Sequence, residues 1–242
     1  MTDWLICRTR RPSAAARLYC VPHSGGTAGE YLRWADQLAG VEVWAVQLPG
    51  RGSRQDEVPY PRMAPLVRDL LDSVEFQPPF VLFGHSLGAL VAYEIAHELR
   101  AAQRPAPDWL FASAYGAPHL PRKAPPLHGL ADDDLLPHLL AGSGELPAEL
   151  LDDEEYLKLV LSCYRSDLEV VETYEYRPRN PLGNPITVLA GVDDDGDITE
   201  LADWRGHTSA RFELHLLPGD HFYLRPQRDA VLRLVIEAVR QL

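Results

Sequence analysis

A serine with a glycine two residues to either side, Gly84-His85-Ser86-Leu87-Gly88, stands where the apolar run 80–83 gives way to the helical-period segment 87–101. No other stretch limits the fold so sharply. The chain must pass from buried strand to helix through a turn so tight that a side chain at either glycine would collide with it, and that turn thrusts the serine hydroxyl outward. The helix beginning at Leu87 aims its first amides at the same point. The competing reading is a βα turn with an incidental serine. The strand before it and the helix after it favour a nucleophile.

The rest of the chain supplies a matching framework. Short β-branched or aromatic runs at 17–21, 41–47, 80–83, 109–114, 186–190 and 212–217 alternate with helical segments at 28–38, 63–74, 87–101 and 227–242. This alternation predicts an α/β fold, a mostly parallel sheet flanked by helices on both faces. In the last helix Val231, Leu234, Val235, Ala238, Val239 and Leu242 form one apolar stripe, as a helix covering a sheet requires. A length of 242 residues at 46% hydrophobic content suits one core, so residues 1–242 are expected to form a single domain. Between 118 and 177 no strand pattern is visible. Pro118, Pro121, Pro125 and Pro126 open this stretch, and 132–140 and 152–164 read as helices. Structureless loops of that length are uncommon in compact domains, so 118–177 is expected to be a helical lid inserted before the strand 186–190.

A nucleophilic serine needs a base, and the base needs an acid that fixes its tautomer. On a strand-turn-helix nucleophile they follow in the order serine, acid, histidine. His221 is best placed as base, following the run 212–217 and the turn Leu217-Pro218-Gly219-Asp220. His119, His128 and His138 fall in the insertion, His97 lies in the helix after Ser86 and His215 is mid-strand, so these read as surface or packing residues. His207, in a connecting segment, is the remaining competitor. The acid belongs after the strand 186–190, where Asp193, Asp194, Asp195 and Asp197 are all available. A calcium loop is disfavoured there, because the run lacks the alternation and closing glutamate of an EF-hand.

Two backbone N–H donors must also meet the oxyanion, each worth about 3 to 4 kcal/mol. Leu87 is expected to give one. Pro22-His23-Ser24-Gly25-Gly26 follows the strand 17–21, and its glycines allow close backbone approach. Ser24 is expected to give the other, with His23 shaping the loop.

A formal charge of −12 excludes nucleic acid as an expected partner, since phosphate binding needs clustered Lys and Arg. Arg8, Arg10, Arg11 and Arg17 read as solvated surface. Three cysteines without CxxC spacing suggest neither a disulfide framework nor a zinc site. No apolar run reaches the roughly 18 residues of a spanning helix, and no secretory h-region follows Met1. A cytoplasmic protein with no membrane association, metal or cofactor is expected.

With these residues assembled, the chain resembles the type II thioesterases of polyketide and nonribosomal peptide assembly lines, kin to the medium-chain fatty acyl thioesterases. The likeness rests on Pro22-His23-Ser24-Gly25-Gly26, Gln47-Leu48-Pro49-Gly50-Arg51, Phe83 to Ala89 with Ala92-Tyr93-Glu94, and Pro218 to Leu224. Trp204, Thr208 and the pair Arg165 and Asp167 add to it. The resemblance implies an α/β-hydrolase fold and a thioesterase that clears acyl groups from the phosphopantetheine arm of an acyl or peptidyl carrier protein, for editing or release. It also implies a choice among the acids: matching Ala190-Gly191 to the family's paired glycines puts the acid at Asp194, with Asp195 where the family has proline. Asp220 and Ser24 replace a glycine and an alanine of the family pattern, and Ser162 a proline. The same triad would serve a carboxylesterase or lipase, a macrocyclising release domain is a further reading, and a catalytically inactive binding module is the reading from a different class. Arg51, Arg54 and Arg62 are candidate docking contacts for the carrier.

Overall fold

The computed structural model of the protein describes residues 3–143 and 153–242. Strands form at the six apolar runs: β2 (Ala16–Val21), β3 (Val41–Val46), β4 (Phe80–His85), β5 (Trp109–Ser113), β6 (Ile186–Gly191) and β7 (Phe212–Leu217). The two-residue β1 (Leu5–Ile6) pairs antiparallel with Val46 and Ala45. Among the described residues the sheet has seven strands in the order β1-β3-β2-β4-β5-β6-β7, and every pair beyond β1 is parallel.

Helices α1 (Gly29–Leu32), α2 (Met63–Ser73), α3 (Leu87–Ala101), α4 (Asp132–Ser143), α5 (Glu154–Glu172), α6 (Ile198–Ala202) and α7 (Arg228–Val239) complete the fold. Successive strand side chains point to opposite faces, so the wholly buried β4 serves two cores. Phe80 and Leu82 pack with Leu70, Leu90 and Ile95 of α2 and α3. Val81 and Phe83 pack with Tyr31, Trp34, Val231 and Val235 on the other face.

The helix expected at 28–38 is broken. It is α-helical only over Gly29–Leu32 and continues as a 3-10 turn over Arg33–Asp36. Tyr31 and Trp34 explain the tightening: both are buried, with rings 4.9 Å apart, and a 3-10 turn aligns residues three apart on one face.

Between β5 and β6, α4 and α5 pack through Leu135, Leu139, Leu161, Tyr164 and Leu168. The helix expected at 152–164 starts at Glu154, directly after the Asp153 cap, whose carboxylate accepts from Glu155 N at 3.1 Å and Tyr156 N at 3.0 Å, and runs on to Glu172. Its charged continuation hid the buried stripe that carries Leu161, Tyr164 and Leu168 forward. Asp152, and the stretch 144–152 as a whole, lie outside the described residues.

Strand order places the chemistry. β2 hands the chain to β3 on one side and β4 hands it to β5 on the other, so a crevice opens at the carboxyl ends of β2 and β4, where open α/β sheets bind ligands.

Candidate active site

Ser86 follows β4 with φ 54° and ψ −121°, a conformation that a non-glycine residue keeps only when its surroundings enforce it. Its amide donates to Ser113 O at 2.8 Å, and its carbonyl accepts from Ala89 N at 2.9 Å. The glycines have no room for a side chain. A Cβ on Gly84 would lie 2.0 Å from Gly88 O, and one on Gly88 would lie 2.1 Å from Val21 O. The start of α3 is thus pressed against the end of β2, and the Leu87 amide, in the first turn, has no helical acceptor.

His221 and Asp194 arrive on the loops after β7 and β6. His221 Nδ1 stands 3.0 Å from Asp194 Oδ2 and 3.2 Å from Oδ1. A carboxylate at Nδ1 favours the tautomer that leaves Nε2 with its lone pair. The loops are laced by Val192 N to Leu217 O at 2.9 Å and Asp193 N to Gly219 O at 3.0 Å. A Cβ on Gly191 would sit 2.2 Å from Asp220 O, so this glycine lets the two loops close. Of the four carboxylates that the residues left open, Asp194 is the one turned toward His221. Asp193 and Asp195 are exposed, and Asp197 caps α6 through Thr199 N at 2.8 Å.

Ser24, Ser86, Asp194 and His221 line one cavity of about 370 Å³, which Leu168 and Val171 of α5 also border. Larger hollows lie beside His97 and Arg179 and beside Arg62 and Tyr174, but neither holds the serine or His221. Chemistry rather than volume selects the site. Among the described residues no group of His, Cys, Asp and Glu is arranged to hold a metal ion, and no helix is long and apolar enough to cross a membrane.

Three neighbours of the site, His85, Ser113 and Tyr223, had been given no role from the sequence. His85 is buried behind His221, their ring centres 5.1 Å apart. Its Nδ1 pairs with Ser113 Oγ at 2.8 Å, and Ser113 Oγ with Tyr223 OH at 2.6 Å. Burial, reinforced by the charge of His221, pushes the pKa of His85 well below its ordinary value. His85 had been visible only as the variable position of the serine motif.

The other histidines hold structural positions. His23 is buried, with its ring 5.0 Å from Phe222, and burial followed by the charge of Arg225 lowers its pKa to about 3. His207 lies outside the cavity, pairing with Tyr93 OH and with His119, each at 2.9 Å. Burial first, then His119, lowers its pKa to about 4, and burial lowers that of His97 to about 3.

These shifts set a stability prediction. A histidine kept neutral in the fold takes up a proton in the unfolded chain below pH about 6.5, so its stabilisation is complete above that pH and is lost progressively as pH falls toward the folded value. His23 alone gives a slope of at most about 1.4 kcal/mol per pH unit. The melting temperature is expected to drop between pH 7 and pH 5, above the range where ordinary carboxylates protonate. A flat profile over that interval in a series of thermal melts would contradict the assignment.

The arginines named as docking contacts behave differently from expectation. Arg51 is only 6% exposed and binds Asp167 through both ends of its guanidinium, at 2.6 and 2.7 Å. Arg54 is equally buried, pairing with Glu57 and covering the Trp4 ring at 3.9 Å. Only Arg62 stays half exposed, and it pairs with Glu169. A loop that reads as basic in sequence has turned its charge inward.

Comparison with known proteins agrees with this geometry. The family model described as Thioesterase domain matches residues 16–239. Linear gramicidin dehydrogenase LgrE of Brevibacillus parabrevis is 36% identical over 239 residues, spanning 96% of this chain and 90% of its own. The type II thioesterase BorB from the borrelidin biosynthetic cluster superposes with a TM-score of 0.88 at 36% identity, covering 99% of both chains. YbtT, a type II thioesterase from the yersiniabactin NRPS/PKS biosynthetic pathway, superposes with a TM-score of 0.84 at 28% identity over 99% of both chains. The chain belongs to the thioesterase domain family, among the type II thioesterases of the α/β-hydrolase fold.

Proposed function

We propose that the protein hydrolyses acyl thioesters carried on the phosphopantetheine arm of acyl or peptidyl carrier proteins, clearing or releasing units in nonribosomal peptide or polyketide synthesis. The convergence of Ser86, His221 and Asp194 on one cavity carries this reading. Ser86 Oγ attacks the thioester carbonyl and passes its proton to His221 Nε2, while Asp194 holds the Nδ1 proton and steadies the imidazolium. The oxyanion is met by the amides of Ser24 and Leu87. The carbon–sulfur bond then breaks, the pantetheine sulfur takes the proton from His221 Nε2 and leaves as thiol, and an acyl-serine remains. Water deprotonated by His221 opens that ester and restores the serine. Residues 118–177, with α4 and α5, act as the lid over this site within a single domain.

BorB and YbtT, named for such clusters, support the pathway. The dehydrogenase name borne by LgrE finds no counterpart in these residues. Gly50 and Gly52 are followed by Gln55, and Gly142 and Gly144 by Pro147, so no Gly-x-Gly-x-x-Gly run exists to cradle a dinucleotide.

The test is to offer carrier proteins loaded with different acyl groups and to follow acyl loss by intact-protein mass spectrometry, beside a panel of p-nitrophenyl esters. Preference for the thioesters is expected, and equal efficiency on both classes would favour an oxygen-ester hydrolase. Carrier proteins of assembly lines are generally acidic, and this chain carries a net charge of −12 with Arg51 and Arg54 turned inward. Long-range attraction should therefore be absent, and hydrolysis should hold or rise as salt goes from low to physiological strength. A steep fall with salt would reveal a basic docking surface instead.

A further inference from the structure

Asp167 lies on α5, in the insertion, yet its hydrogen bonds reach into the loop that follows β2. Its Oδ2 accepts from Gly25 N at 2.7 Å as well as from Arg51 Nη1 at 2.6 Å, and its Oδ1 accepts from Arg51 Nη2 at 2.7 Å. The same Arg51 Nη1 donates to Gly26 O at 3.2 Å. Carboxylate and guanidinium are nearly sealed from solvent, 5% and 6% exposed at the side chain. A charge-assisted bond in such surroundings is strong, and its geometry is narrow.

The loop they hold carries Ser24, which lines the cavity and whose amide is the proposed oxyanion donor. Its internal bracing is slight: Gly26 N returns to His23 O at 2.9 Å. Gly25 has φ +75°, and two successive glycines leave the peptide planes between His23 and Gly26 free to rotate unless something outside the loop stops them. A peptide plane is rigid, so fixing Gly25 N–H on Asp167 fixes the Ser24 carbonyl in the opposite direction and with it the torsion of Ser24. Arg51 holds the Gly26 carbonyl, two peptides further on. The Ser24 amide shares a plane with the His23 carbonyl, which Gly26 N holds at 2.9 Å, so the Asp167 and Arg51 bonds at Gly25 and Gly26 brace the residues that hold it. Among the described residues nothing accepts a bond from the Ser24 amide itself.

We infer that Asp167 is a positioning residue that, through Gly25 and Arg51, aligns the Ser24 amide for the oxyanion, so that the donor is complete only while α5 is seated. The inference rests on the thioester hydrolysis proposed above and adds to it a coupling between insertion and chemistry. Because Leu168 and Val171 of the same helix border the cavity, the element that encloses the acyl group also sets the donor that stabilises its transition state.

The test compares the parent chain with Asp167→Asn and with the double variant Arg51→Met/Asp167→Leu, using a short-chain acyl N-acetylcysteamine thioester. Asp167→Asn should lower kcat by about 100-fold, the scale of losing one oxyanion donor. KM should stay within about threefold, and the midpoint of the pH–rate profile, which reports the base, should not move. The double variant removes both buried charges, which is often neutral or stabilising for the fold, but leaves Gly25 N–H without its acceptor. It should melt like the parent or higher and still show the reduced kcat. That pattern separates positioning from mere support. A folded variant of either kind with kcat within about threefold of the parent overturns the inference, as does a loss confined to KM. Should Asp167→Asn fail to fold, the double variant decides alone, and an unfolded double variant also overturns it by making the pair a requirement of the fold. Failure of the underlying function would appear in the parent chain, and failure of this inference only in the variants.

Discussion

Ser86→Ala is expected to lower thioester turnover by a factor of about one million while leaving the fold intact, the scale seen when a triad nucleophile is removed and only binding and oxyanion stabilisation remain. Among the described residues the hydroxyl has no hydrogen bond to lose: Ser86 is held by its backbone, through Ser113 O and Ala89 N. A serine-directed fluorophosphonate should label the parent chain at Ser86 and leave the alanine variant unlabelled. Circular dichroism and melting should match the parent. Labelling at another residue, with full activity in the variant, would remove the mechanism altogether.

Asp194→Asn should cost about 10,000-fold in kcat, because an amide facing Nδ1 favours the tautomer in which Nε2 carries the proton and cannot act as base. The neighbouring acids provide the control. Asp193 and Asp195 are exposed and contribute no side-chain bond to His221, so their asparagine variants should stay within about threefold of the parent. A crippled Asp193→Asn with an active Asp194→Asn would show that the loop is read one residue out of register. Both variants need only steady-state kinetics on one thioester.

How much of this was legible in the sequence depended on whether the cause was local. The strand runs and the elbow were plain because the run 80–83 is apolar on both faces and the glycine pattern is local, Gly84 meeting Gly88 O within the same turn, although Gly88 meets Val21 O of another strand. Asp194 was only partly legible. Residue types alone left four acids open, and the glycine that settles the register, Gly191, works by meeting Asp220 O from a loop nearly thirty residues away. The two-residue β1 had no periodicity to show. Arg51 and Asp167 were misjudged or left unexplained for the same reason: 116 residues separate them, and a buried ion pair looks, in each local window, like two ordinary surface charges. Ser113 and Tyr223 likewise meet His85 only once β5 and the loop after β7 are in place.

The half-buried last strand has a consequence for the order in which the protein gains and loses its activity. β7 pairs only with β6, at the edge of the sheet, and its residues are mostly neither fully buried nor fully exposed. His221 hangs from its end, whereas Ser86 is anchored between β4 and α3 in the middle of the sheet, 135 positions earlier in the chain. Edge elements with few buried contacts detach at lower cost than the centre of a sheet. Contacts between such distant parts of a chain form late, because loop closure must precede them. On heating, the loop that carries His221 is therefore expected to open before the turn at Ser86, which a loss of activity ahead of the main melting transition would show.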